Sequence, residues 1–85
     1  MGMEAVIRAR LEQALAPSRL QVVNESHRHA GHAGDDGSGE SHWRVVIESP
    51  SFAGRSRVER HRMVHAALGD AMGRIHALSL EIRDA

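Results

Sequence analysis

The stretch HWRVVIES, residues 42–49, alternates: Trp43, Val45 and Ile47 fall on one side, His42, Arg44 and Glu48 on the other. A period of two predicts a half-buried strand. Pro50 ends it, because proline offers no N–H to a ladder. Trp43 lies on the inward side, where packing is the expected role of a large aromatic. Upstream, residues 19–25 repeat the pattern with Leu20 and Val22 on one side, which predicts an antiparallel partner strand. Between the two runs lie residues 26–40, rich in Gly, Asp and Ser and longer than most connections in a compact domain.

Working outward, residues 3–15, MEAVIRARLEQAL, bring Ile7, Leu11, Ala14 and Leu15 to one helical face, and Pro17 stops that helix. Downstream, Ser56-Arg57-Val58-Glu59 has the form of a capping box, in which the Ser56 hydroxyl and the Glu59 carboxylate satisfy each other's backbone amides. Val64, Leu68, Ala71, Met72 and Ile75 then form an apolar stripe, with Gly73 as the expected exit. Residues 76–82, HALSLEI, predict a last strand with Leu78, Leu80 and Ile82 inward. The order is α-β-β-α-β. The helix between the second and third strands implies a right-handed crossover to a parallel neighbour. The expectation is one α+β domain over residues 1–85, a three-stranded mixed sheet with its helices packed on one face.

Composition narrows the function. Eleven basic residues, all arginine, balance eleven acidic ones. A neutral chain is a poor candidate for nucleic-acid binding driven by total charge alone, although a local basic patch remains compatible with it. There is no cysteine, so no thiolate can ligate a metal or attack a substrate, and a soft metal would have to be taken by imidazole. No run reaches the length of a membrane span, and charges stand near the N-terminus where a signal peptide needs apolar residues. These features predict a cytoplasmic protein.

Seven histidines are the chemical signature of the chain. His27, His29 and His32 make an H-x-H-x-x-H string in the long connection, and Gly31 and Gly34 allow the backbone there to wrap a ligand. The plain alternative is solvated loop imidazoles, and a zinc or other divalent site on these three is a further reading. His76 shares parity with Leu78, which by itself suggests a histidine at the rim of the core. Arg55, Arg57, Arg60, His61, Arg62 and His65 form a basic segment in which Glu59 is the opposing charge. It suits phosphates or an acidic partner face, against the ordinary reading of a solvated helix surface, and His61 could instead brace the fold. Gly54-Arg55-Ser56-Arg57 lacks the second glycine of a G-x-x-G loop, which argues against RNA binding of that kind. Neither a nucleophile elbow nor a zinc-protease motif is present, and no catalytic set emerges.

The stretches ALAPSRLQVVNES (14–26), HAGHAG (29–34), GESHWRVVIESPSFAG (39–54), RHRMVHAAL (60–68) and IHALSL (75–80) together resemble the BolA family. The resemblance implies a class II KH-like fold and a non-enzymatic role. It implies pairing with a monothiol glutaredoxin through a shared 2Fe-2S cluster, with glutathione supplied by the partner. It also implies, for some members, DNA binding and transcriptional regulation, and it leaves a homodimer open. The resemblance implies that the histidine which cluster-binding members use at the head of the last strand falls on His76. The second ligand, Cys in one subgroup and His in the other, falls in the loop on His29, with His32 as substitute; the absence of cysteine places this chain with the His subgroup. Imidazole ligands raise a cluster's potential relative to thiolates and hold metal only when neutral, which implies binding that weakens in acid. For DNA binding the candidates are Arg55, Arg57, Arg60, His61 and Arg62.

Overall fold

The computed structural model describes residues 2–26 and 41–84. Its elements are α1 (Met3–Leu15), β1 (Arg19–Asn24), β2 (His42–Glu48), a 3₁₀ turn at Pro50–Phe52, α2 (Arg57–Leu68), a second 3₁₀ turn at Gly69–Arg74, and β3 (Ala77–Arg83). The sheet runs β1-β2-β3, so β2 is central. It pairs antiparallel with β1 (Trp43 opposite Asn24, Ile47 opposite Leu20) and parallel with β3 (His42 level with Ala77, Ile47 with Ile82). The α-β-β-α-β order and the mixed sheet agree with the sequence reading.

One cluster makes the core. Met3, Ile7, Leu11 and Leu15 of α1, four residues apart, meet Val22, Trp43, Val45 and Ile47 of the sheet and Val64 and Leu68 of α2. Phe52 and Ile75 from the two turns close it. Both helices therefore cover the same face of the sheet. Trp43 is a core residue, as its alternation predicts. Ala14, expected inward, is exposed, and Met3 completes the stripe in its place. On the open face Val46 is nonetheless buried. Around its strand Arg44 pairs with Glu81 (3.8 Å), Arg83 with Glu81 (3.2 Å) and Glu48 (3.8 Å), and Arg19 with Glu48 (3.7 Å). Each exposed pair contributes little.

The ends of the helices are fixed by polar contacts. α1 terminates at Ala16, whose φ of 43° lies in the left-handed region. The last α1 carbonyl, Leu15 O, accepts from Ser49 Oγ at 2.6 Å and from Ser51 Oγ at 3.2 Å, which ties α1 to the exit of β2. α2 stops at Leu68, short of the expected exit at Gly73. The reason is Gly69, with φ 55° and ψ −129°, which turns the chain out of α-helical geometry. Arg10 seals the break: its guanidinium donates to Leu68 O at 2.8 Å and pairs with Asp70. The rest of the predicted stripe continues in the 3₁₀ turn, where Ala71 is buried, and Ile75 is buried just after it.

Leu68 is fully buried between the helices and the sheet. Leu68→Ala is expected to cost about 2–5 kcal/mol, through lost transfer energy and the cavity left behind. Urea unfolding checks this as a lower midpoint at unchanged slope.

Candidate metal centre and basic groove

The hydrogen bonds at the start of β2 gather two histidines. Ser41 O accepts from His76 N at 2.8 Å and from Ala77 N at 3.2 Å. Two consecutive amides on one acceptor are not a strand ladder; they bend the chain at His76 just before β3 begins. Strand parity therefore fails at this residue. His76 is exposed rather than set at the rim of the core, and its ring lies 5.2 Å, centroid to centroid, from the ring of His42, tilted by 45°. His42 is buried. Its Nδ1 lies 2.7 Å from Ser41 Oγ, and its backbone N donates to Ser26 Oγ at 3.0 Å. Glu25 N donates to His42 O at 2.9 Å, which fastens the end of β1 to the same point. A shallow hollow of about 190 Å³, lined by Glu25, His42, Trp43, Ala77, Leu78 and Ser79, opens beside the pair.

The sequence reading names His76 and misses His42, which it assigns to the solvent side of a strand. The signal that could have found it is the parallel pairing of β2 with β3: both strands begin at one end of the sheet, so the residues that precede or open them become neighbours. His29 and His32, and the whole His27-His29-His32 string, lie outside the described residues. Among the described residues no group of three or more His, Cys, Asp or Glu is placed to hold a metal ion. The donor set at this corner is two imidazoles, one exposed and one braced by a hydroxyl. Nitrogen donors of this kind suit iron in a cluster that is completed by ligands from elsewhere.

The basic segment forms a second locality. Ser56 caps α2 and the box is complete: Glu59 N donates to Ser56 Oγ at 3.1 Å and Ser56 N to Glu59 Oε1 at 3.0 Å. Gly54, with φ 75°, makes the turn that leads into it. Arg55, Arg57, Arg60 and His61 line a groove of about 490 Å³ against Leu80 and Glu81 of β3. Their charges are not equally available. Arg55 pairs with Glu59 at 3.7 Å. Arg60 donates to Arg55 O at 3.0 Å and pairs at 3.4 Å with Asp84, an opposing charge the segment alone does not reveal. Arg57 and Arg62 make no ion pair among the described residues. His61 Nδ1 lies 2.9 Å from Arg57 O, so the ring nitrogen donates to the helix carbonyl and braces α2. Arg57, Val58, His61, Arg62 and His65 share a second hollow of about 360 Å³ on the outer side of the helix.

The architecture defines an α+β domain of α-β-β-α-β order with an imidazole corner at one end of its sheet. The family model described as BolA-like protein matches residues 11–84. A Sinorhizobium protein, described as an uncharacterized protein in the cobS 5′ region, is 48% identical over 83 residues, covering 95% of this chain and 89% of the relative. Human BolA-like protein 1 is 48% identical over 81 residues, 94% of this chain and 56% of its own length. This chain thus spans little more than half of the BolA-like protein 1 relatives. The Escherichia coli DNA-binding transcriptional regulator BolA is 40% identical over 80 residues, 88% of this chain and 72% of the regulator. Two solved structures from Arabidopsis thaliana, BolA1 (35% identical) and the BolA domain of SufE1 (37%), each superpose with TM-score 0.85, covering 98% of this chain and 92% of theirs. The chain belongs to the BolA-like protein family. Among the described residues no helix is long and apolar enough to cross a membrane.

Glu59 is held below the ordinary glutamate range, first by the Ser56 backbone hydrogen bond, then by its hydroxyl and by Arg55. A carboxylate with a depressed folded pKa contributes stability that is complete above its unfolded pKa and is lost as pH falls through the folded value. The stability gap between the native chain and Glu59→Gln is therefore expected at neutral pH and should close through the acid limb, measured by urea midpoints at stepped pH.

Proposed function

We propose that this protein is a non-enzymatic partner of a monothiol glutaredoxin and that the two share a 2Fe-2S cluster in iron–sulfur trafficking or iron homeostasis. The observation that carries this reading is the exposed imidazole of His76 at the head of β3, where Ser41 O accepts from the backbone N of both His76 and Ala77, in a chain without thiols. Similarity to BolA-like protein 1 and to the BolA domain of SufE1 supports it. His76 is the fixed ligand. The second imidazole of the family pattern is supplied by the β1–β2 connection, at His29 or His32. The partner contributes its cysteine and glutathione. Two imidazoles on one iron of a two-iron cluster have precedent in Rieske centres, where they raise the potential.

Mixing the chain with a monothiol glutaredoxin, iron, sulfide and glutathione is expected to give a coloured heterodimer, read by visible absorption and native mass. His76→Ala should lower cluster yield by at least about tenfold, the scale of a lost metal interaction, while leaving the far-ultraviolet dichroism intact. Equal yield from the variant refutes the ligand assignment.

A second reading is a DNA-binding regulator, favoured by the convergence of Arg55, Arg57, Arg60 and His61 on one groove and by similarity to the Escherichia coli regulator. The guanidinium of Arg57, which makes no ion pair among the described residues, then matters more than that of Arg60, which Asp84 already engages. Arg57→Ala is expected to weaken duplex binding on all sequences and to reduce the slope of log K against log salt by about 0.9 per lost phosphate contact. Arg60→Ala should change that slope less. Fluorescence anisotropy at stepped salt measures both, and no affinity at low salt rejects this reading.

A further inference from the structure

We propose that the outer side of α2 is a docking surface for an acidic amphipathic helix of another protein, which seats an aliphatic side chain on Val58 and sets carboxylates against Arg57 and Arg62. The surface is the hollow of about 360 Å³ lined by Arg57, Val58, His61, Arg62 and His65. Its apolar centre is unusual in this domain. Val58 is 58% exposed, whereas the other large hydrophobics among the described residues are buried or half-buried. A β-branched residue also has lower helix propensity than alanine or leucine, so α2 carries Val58 at a small cost with no burial to offset it.

The charge around it is one-sided. The nearby carboxylates are already engaged by other arginines: Glu59 pairs with Arg55 at 3.7 Å and Asp84 with Arg60 at 3.4 Å. Arg57 and Arg62 make no ion pair among the described residues, and no described carboxylate lines the hollow. Both guanidinium charges are permanent. His61 is fixed beside them by the bond from its Nδ1 to Arg57 O at 2.9 Å. A chain of zero net charge thus keeps uncompensated cations around one exposed aliphatic group.

These features choose the occupant. A phosphate backbone needs only the charges and gains nothing from Val58, whereas an apolar anchor ringed by polar pairs is the usual anatomy of a protein interface. A second copy of this chain docking by the same face would set arginine against arginine across a two-fold axis. Arg57, His61 and His65 stand four residues apart and span about 12 Å of helix. A helix laid alongside repeats its side chains at the same interval, so its carboxylates meet this row while an aliphatic residue between them covers Val58. The surface shares Arg57 and His61 with the basic groove but none of its β3 wall. It rests on neither function proposed above.

The test uses the full ¹⁵N-labelled chain and a synthetic amphipathic peptide with glutamates four residues apart and leucine on the same face. A scrambled peptide of identical composition is the control. The probe is expected to shift backbone amides across residues 57–65, to leave those of Leu80, Glu81 and Ile82 in place, and to bind several-fold more tightly than the scrambled peptide. Val58→Ala keeps every charge and favours the helix. It should weaken the probe about tenfold, the scale of two lost methyl contacts, and leave cluster yield and any duplex affinity unchanged. Arg62→Ala should weaken the probe and flatten its salt dependence. Three results overturn the proposal. Equal binding of the scrambled peptide reduces the surface to charge alone. A duplex oligonucleotide that displaces the probe and loses as much affinity to Val58→Ala makes the face part of a nucleic-acid site. No binding of the probe at low salt removes the surface.

Discussion

Everything at the imidazole corner depends on the position of β2 between an antiparallel and a parallel neighbour. The central strand must satisfy hydrogen bonds on both edges, and its inward residues Trp43, Val45 and Ile47 must face both helices. A slip of one residue would turn those three to solvent and bring Arg44 and Glu48 into the core. The register is therefore fixed by burial, and once fixed it dictates the rest. Parallel pairing with β3 brings the residues before both strands to one end of the sheet. At that end Ser41, fully buried, offers a carbonyl to two amides and a hydroxyl to a ring. The corner is a consequence of how the core is packed, with no dedicated scaffold of its own.

The same register separates the two localities. The imidazoles stand before the first residue of β3, while the basic groove is walled by Leu80, Glu81 and Ile82 further along it. Leu80, the first strand residue of the groove, stands four positions beyond His76, or about 13 Å at the usual rise. A ligand at one is not in contact with the other. The two localities are thus far enough apart on one small domain that substitutions at either can be interpreted without confounding the other.

Much of this was legible in the sequence, for identifiable reasons. The alternation of residues 42–49 and the capping box at Ser56–Glu59 are local signals, each written in a few adjacent side chains, and both hold in the structure. The end of α2 was misplaced because two glycines compete for it, and the choice falls to Gly69, where Arg10 from a distant helix caps Leu68 and pairs with Asp70. No local pattern announces that contact. The basic segment was legible as charge but not as available charge, since the pairing of Arg60 with Asp84 joins residues far apart in the chain.

His76 shows the limit most clearly. Its parity with Leu78, Leu80 and Ile82 points to the core, and parity holds only inside a strand. The chain bends at His76 because two amides converge on Ser41 O, and the ring turns out to meet one from the other side of the sheet's alternation. Sequence periodicity assigns His42 and His76 to opposite faces; the bend puts them beside each other. A site of this kind, built where regular structure stops, cannot be found by extending the pattern that leads up to it. It follows from asking which backbone groups remain to be satisfied once the strands have paired, and at the head of β2 and β3 that accounting ends on Ser41.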